Sequence, residues 1–79
     1  MGPKLLLHEA IAVVLLNKSD RAATFEEIAK EINLRNLYQR KDQTLIPAYQ
    51  IMQRTSLSSG QYSHLFEVVK KDLVRLRNI

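Results

Sequence analysis

The four residues Thr24-Phe25-Glu26-Glu27 constrain this chain more than any other stretch. A threonine followed three positions later by glutamate forms a capping box, in which each side chain takes a backbone amide that a helix start leaves without a partner. Glu26 and Glu27 also sit where the helix dipole favours negative charge. Behind the box, Phe25, Ile28, Ala29 and Ile32 keep the i, i+3, i+4, i+7 spacing of one buried face. Asn36 tolerates a left-handed backbone and predicts a stop near Arg35. A helix is thereby fixed at both ends, and the rest of the chain has to cover its apolar stripe.

Seventy-nine residues allow one domain with one core. There are no cysteines, so neither a disulfide nor a thiolate metal site is available. Residues 4–17 predict an earlier helix whose buried stripe is Leu7, Ala10, Ile11, Val14 and Leu15. Its other side is apolar as well, through Leu5, Leu6, Val13 and Leu16. So small a domain cannot easily enclose a helix that is apolar all round, so this second face is expected to touch another protein, a second copy or a parent chain. Asn17-Lys18-Ser19-Asp20-Arg21 reads as a loop. The run from Leu5 to Leu16 is interrupted by His8 and Glu9 and falls short of the roughly 20 residues that cross a bilayer. No small-residue cleavage site follows it. The expectation is a cytoplasmic or nucleoid-associated protein, or a nuclear one in a eukaryote, with no membrane partner.

In the second half, Gln39 to Thr44 holds no apolar residue and predicts an exposed loop carrying Arg40 and Lys41. Leu45-Ile46 reads as one short extended strand, because a residue before proline is pushed toward extended geometry. Pro47 suits the first turn of a third helix over 47–56. At about 100° per residue, Ala48, Ile51, Met52 and Thr55 share one side of it, and Tyr49, Gln50, Gln53 and Arg54 the other. Ser58-Ser59-Gly60 ends that pattern. Phe66-Glu67-Val68-Val69 and Leu73-Val74-Arg75-Leu76 then flank the polar Lys70-Lys71-Asp72 as a hairpin. Its turn carries no glycine, which leaves the turn type open.

Helix, helix, short strand, helix and two-stranded wing give a mostly α fold with a small β-hairpin, a winged helix-turn-helix. The residues His8-Glu9-Ala10-Ile11, Thr24-Phe25-Glu26-Glu27-Ile28, Glu31-Ile32-Asn33, Asn36-Leu37-Tyr38, Ile46-Pro47-Ala48, Leu65-Phe66-Glu67-Val68 and Leu76 follow in an order and spacing that resembles the HARE-type helix-turn-helix domains. These are named for homeobox-like, Asx-like and restriction-endonuclease proteins, and the resemblance spans about residues 5–77. It implies a winged-helix fold and DNA binding in the service of a transcription or restriction-modification protein, with a related domain in the delta subunit of bacterial RNA polymerase. Such domains usually belong to longer proteins. The chain departs from the family in having Asn36 where glycine often follows the second helix, and Lys70-Lys71-Asp72 where the wing tends to carry glycine.

Charge points the same way. The net charge is +4, and residues 35–79 hold eight basic and three acidic side chains against four and five in residues 1–34. Such asymmetry fits a polyanion partner or simply a solvated basic surface. In a helix-turn-helix the recognition helix enters the major groove, which assigns reading to 47–56. Gln50 and Gln53 offer amides suited to adenine and Arg54 a fork suited to guanine. A surface helix also needs polar residues for solubility; its place in the fold favours a reading role for Gln53 and Arg54, leaves Gln50 open, and makes Tyr49 more a packing residue. Lys70 and Lys71 at the wing tip serve either phosphate contact or edge protection, and Arg40 and Lys41 are further candidates for phosphate. Ser58, Ser59 and Gln61 read as loop.

Enzyme chemistry finds no foothold. His8 and His64, the only histidines, lie in different elements, and no phosphate loop, nucleophile motif or catalytic carboxylate pair is recognisable. No cofactor, metal or small-molecule substrate is expected. The alternative is a protein-interaction module docking or dimerising through the first helix.

Overall fold

The computed structural model describes residues 5–40, 42, 44–55 and 65–77. Helix α1 (Leu7–Leu16) opens with Glu9 Oε1 accepting the Leu6 amide at 2.9 Å. It buries Leu7, Ala10, Ile11, Val14 and Leu15, the stripe its periodicity predicts. Its last four carbonyls, which no helix can satisfy internally, each find a donor. Asn17 Nδ2 serves Val13 (3.1 Å), the Asn17 and Lys18 amides serve Val14 and Leu15, and Arg21 Nη1 serves Leu16 (3.1 Å). The Lys18 ammonium also pairs with Glu31.

Arg21 then takes a left-handed backbone (φ 57) and turns the chain into β1 (Ala22–Thr24). Two alanines carry little strand propensity, so the sequence gives this strand no signature. It exists because β3 (Leu73–Leu76), paired on its other side with β2 (Phe66–Val68), would otherwise leave a bare edge. The result is a three-stranded antiparallel sheet in the order β1-β3-β2, with Ala23 opposite Val74 and Phe66 opposite Leu76. Those four side chains face the core.

Helix α2 (Phe25–Arg35) carries the capping box in full. Thr24 Oγ1 accepts the Glu27 amide at 3.1 Å, and Glu27 Oε1 accepts the Thr24 amide at 3.0 Å. Asn36 ends it at φ 54. Helix α3 (Ala48–Thr55) follows, and Ile51 and Thr55 are its buried residues.

Two expectations about the β structure are corrected. The sheet has three strands rather than the two of a hairpin, and the extra strand lies between α1 and α2, not at Leu45-Ile46 between α2 and α3. The Ile46 backbone never reaches a strand because Asn33 occupies it. Asn33 Oδ1 accepts the Ile46 amide at 2.9 Å, and Asn33 Nδ2 donates to the Ile46 carbonyl at 3.1 Å. A side-chain amide thus makes the two bonds that a neighbouring strand would have made. Against the expected 4–17 and 47–56, among the described residues α1 begins at Leu7 and ends at Leu16, and α3 begins at Ala48.

The three helices and the sheet close over one core, in which Ile11, Leu15, Ile28, Ile32, Ile51, Val14 and Val74 are fully buried. Each such side chain contributes about 1.5–3 kcal/mol by leaving water. The Asn33 clamp sets how α3 meets α2. Asn33→Ala is expected to destabilise the fold by about 1–3 kcal/mol, from two lost hydrogen bonds. A lower urea midpoint at unchanged slope would report it.

Candidate functional site

Helix α3 divides much as its wheel predicts. Ile51 and Thr55 are buried, the Thr55 hydroxyl returns to the Ile51 carbonyl at 2.9 Å, and Ala48 and Met52 pack partly on the core. On the opposite side Tyr49 and Gln53 are exposed, whereas Gln50 and Arg54 are half-buried at its flank. Tyr49 corrects its assignment to packing, since the residue is 60% exposed. Phe25 and Glu26 at the start of α2 only border it, and no described segment roofs it.

The hairpin turn is held by two backbone bonds. The Val69 amide donates to the Leu73 carbonyl at 2.8 Å, and the Phe25 amide donates to the Asp72 carbonyl at 3.0 Å. The second bond ties the turn to the N-terminus of α2. Lys70, Lys71 and Asp72 are all exposed. None has positive φ, which is why the turn needs no glycine. Between this turn and α3 lies a concavity of about 270 Å³, lined by Phe25, Glu26, Ala48, Tyr49, Met52 and Asp72. The structure therefore brings together the start of α3 and the tip of the hairpin, which are more than twenty residues apart in the chain.

Arg40 is drawn into its own loop. Its Nη1 donates to Thr44 Oγ1 at 3.1 Å and to the Leu45 carbonyl at 3.4 Å, and its Nε lies 3.9 Å from Asp42. Asp42 accepts from the Thr44 hydroxyl and amide, and these bonds hold its carboxyl below the usual aspartate range. Arg40 thus acts as a strut for the connection into α3. Lys41, Ser58, Ser59, Gln61 and His64 lie outside the described residues.

Sequence reasoning passed over Arg75 and Arg77, both exposed on the open side of the sheet, where the alternation of Leu73-Val74-Arg75-Leu76-Arg77 places them. Arg75 faces Glu67 across the strands and bonds it at 2.7 Å. The Arg77 guanidinium reaches the Phe66 carbonyl at 3.2 Å. On α1 the expected apolar face is reduced. Leu5 packs against the core and Val13 is half-buried, whereas Leu6 and Leu16 are 60% and 47% exposed.

Among the described residues, three helices and a three-stranded antiparallel sheet, one strand of which lies between the first two helices, make a small α/β domain consistent with winged-helix-like topology. Comparison with protein-family models, with curated proteins and with solved structures gives no match to this chain. Among the described residues no helix is long and apolar enough to cross a membrane.

The cross-strand pair has a pH signature. The Arg75 hydrogen bond and charge hold the Glu67 carboxyl below the usual glutamate value. A lowered carboxylate pKa adds stability above the pH at which the unfolded chain's glutamate ionises, and that stability fades as pH falls through the folded midpoint. Carboxyl-detected NMR is expected to find the Glu67 midpoint below that of a peptide glutamate, and Arg75→Ala is expected to raise it.

Proposed function

We propose that this domain binds duplex DNA without catalysis, reading it with the outward side of α3 while the hairpin turn holds the backbone. The observation that carries the reading is the concavity shared by Tyr49 of α3 and Asp72 of the turn. It sets the exposed Gln53 and the exposed Lys70 and Lys71 on neighbouring elements. Gln53, Gln50 and Arg54 supply amide and guanidinium groups suited to base edges. Lys70 and Lys71 supply sequence-independent charge for phosphates, and Arg77 adds to that charge at the end of the sheet. The resemblance to HARE-type domains supports the same reading and, with it, service to a transcription or restriction-modification protein.

A second reading is docking on a parent chain or on RNA polymerase through α1. It is favoured by Leu6 and Leu16, which sit with Val13 on one solvent-facing stripe at spacings of seven and three. Fold alone does not choose between these roles, and the two surfaces lie on different helices.

Fluorescence anisotropy with a short labelled duplex, run as a salt series, tests the first reading. Affinity is expected to fall steeply with salt. Gln53→Ala and Arg54→Ala are each expected to weaken binding about tenfold. Lys70→Ala combined with Lys71→Ala is expected to reduce the salt slope by about two. Unchanged titrations in all three variants would remove the assignment.

A further inference from the structure

The hollow between α3 and the hairpin turn is acidic, although both elements carry basic groups beyond it. Its lining is Phe25, Glu26, Ala48, Tyr49, Met52 and Asp72, which includes two carboxylates and neither a lysine nor an arginine. Glu26 and Asp72 are both exposed, and neither makes an ion pair among the described residues. The cations stand outside it. Lys70 and Lys71 are exposed on the turn, and Arg54 comes more than one turn of α3 after Tyr49.

That distribution of charge decides which grooves of a duplex the domain can occupy. Helix α3 suits the major groove, which is about 12 Å wide and admits a helix. For the turn to enter the minor groove at the same time, a sugar-phosphate strand would have to pass between the two elements, because such a strand separates the grooves. The hollow is the space it would pass through, and there it would meet two carboxylates. Like charges repel more strongly once water is squeezed from between them, and no lining cation offsets these. The turn is not free to swing clear. The Phe25 amide holds the Asp72 carbonyl at 3.0 Å, and the Val69 amide holds the Leu73 carbonyl at 2.8 Å. Nor does the hairpin suit the minor groove itself. That groove is about 6 Å wide, whereas the backbones of two paired strands already stand about 4.8 Å apart before side chains are added. Arginines and apolar wedges are the groups that enter it, and the tip offers two lysines and an aspartate. A lysine ammonium is a strongly hydrated point charge, suited to phosphate at the surface.

We propose that the domain engages B-form duplex from the major groove alone, with Lys70 and Lys71 reaching the near phosphate strand from that side and the minor groove left empty. The inference rests on the duplex reading of α3 and the turn, and adds to it which face of the duplex is the ligand. The hollow then lies over base edges, where a carboxylate can accept from the exocyclic amine of cytosine, and not over phosphates. Duplex RNA is excluded, since its major groove is too deep and narrow for side chains to read.

Fluorescence anisotropy of the full chain on duplexes of one mixed sequence tests the groove. One DNA duplex is unmodified, one carries butyl groups on the guanine amines that face the minor groove, and one carries butyl in place of the thymine methyls that face the major groove. These groups are uncharged, so the phosphate contribution to binding is the same on all three. Minor-groove butyl groups are expected to leave the Kd within about threefold of the unmodified duplex, and major-groove butyl groups to weaken binding about tenfold or more. The RNA duplex of the same sequence is expected to bind about tenfold or more weakly than the DNA. Lys70→Ala combined with Lys71→Ala is expected to cost the same factor on the unmodified and the minor-groove duplexes, because the lysines meet phosphate and not the groove floor. Weakening by the minor-groove groups as large as by the major-groove ones, major-groove groups without effect, or RNA bound as tightly as DNA would overturn the proposal while leaving the duplex reading in place. No binding to the unmodified DNA would remove both.

Discussion

The structure depends on one junction, where Thr24 gives way to Phe25. Thr24 is the last residue of β1, opposite Leu73, and also the N-cap of α2 through its hydroxyl. The next amide, that of Phe25, is one of the donors a helix start cannot use, and it goes to the Asp72 carbonyl in the hairpin turn. Sheet edge, helix start and hairpin tip therefore meet within two residues. The Phe25 ring is buried beneath them. Moving the turn would break the pairing of β1, expose an amide and uncover an aromatic ring at once.

The candidate surface inherits its geometry from that point. Helix α2 is placed by the junction at one end and grips the entry to α3 through Asn33 at the other. The same helix thus sets both the hairpin turn and α3, and the concavity between Tyr49 and Asp72 follows. The turn that carries Lys70 and Lys71 is held near α3 by the Phe25–Asp72 backbone bond. Preorganisation of this kind lowers the entropy lost on binding.

What the sequence reveals depends on how local the determining interaction is. The bounds of α2 and its cap residues rest on contacts within the stretch from Thr24 to Asn36, and Thr24, Glu27 and Asn36 declare them. The stripe of α1 and the hairpin strands are legible for the same reason. Strand β1 is not, because Ala22 and Ala23 become a strand only when Val74 and its neighbours arrive from fifty residues away. Asn33 reads as one more polar residue on α2, and nothing local says that it will stand in for a strand beside Ile46. Among the site residues, the outward side of α3 follows from its period, but the exposure of Tyr49 depends on how far α2 extends over it. Arg40 reads as a free cation until Asp42 and Thr44 fold around it.

The most direct test of the central claim is an NMR titration of the isotope-labelled chain with a short duplex of random sequence. The account predicts shifts concentrated at Tyr49, Gln53, Arg54, Lys70 and Lys71, with α1 unaffected. Shifts confined to Leu6, Val13 and Leu16, or none at a saturating excess of duplex, would contradict it.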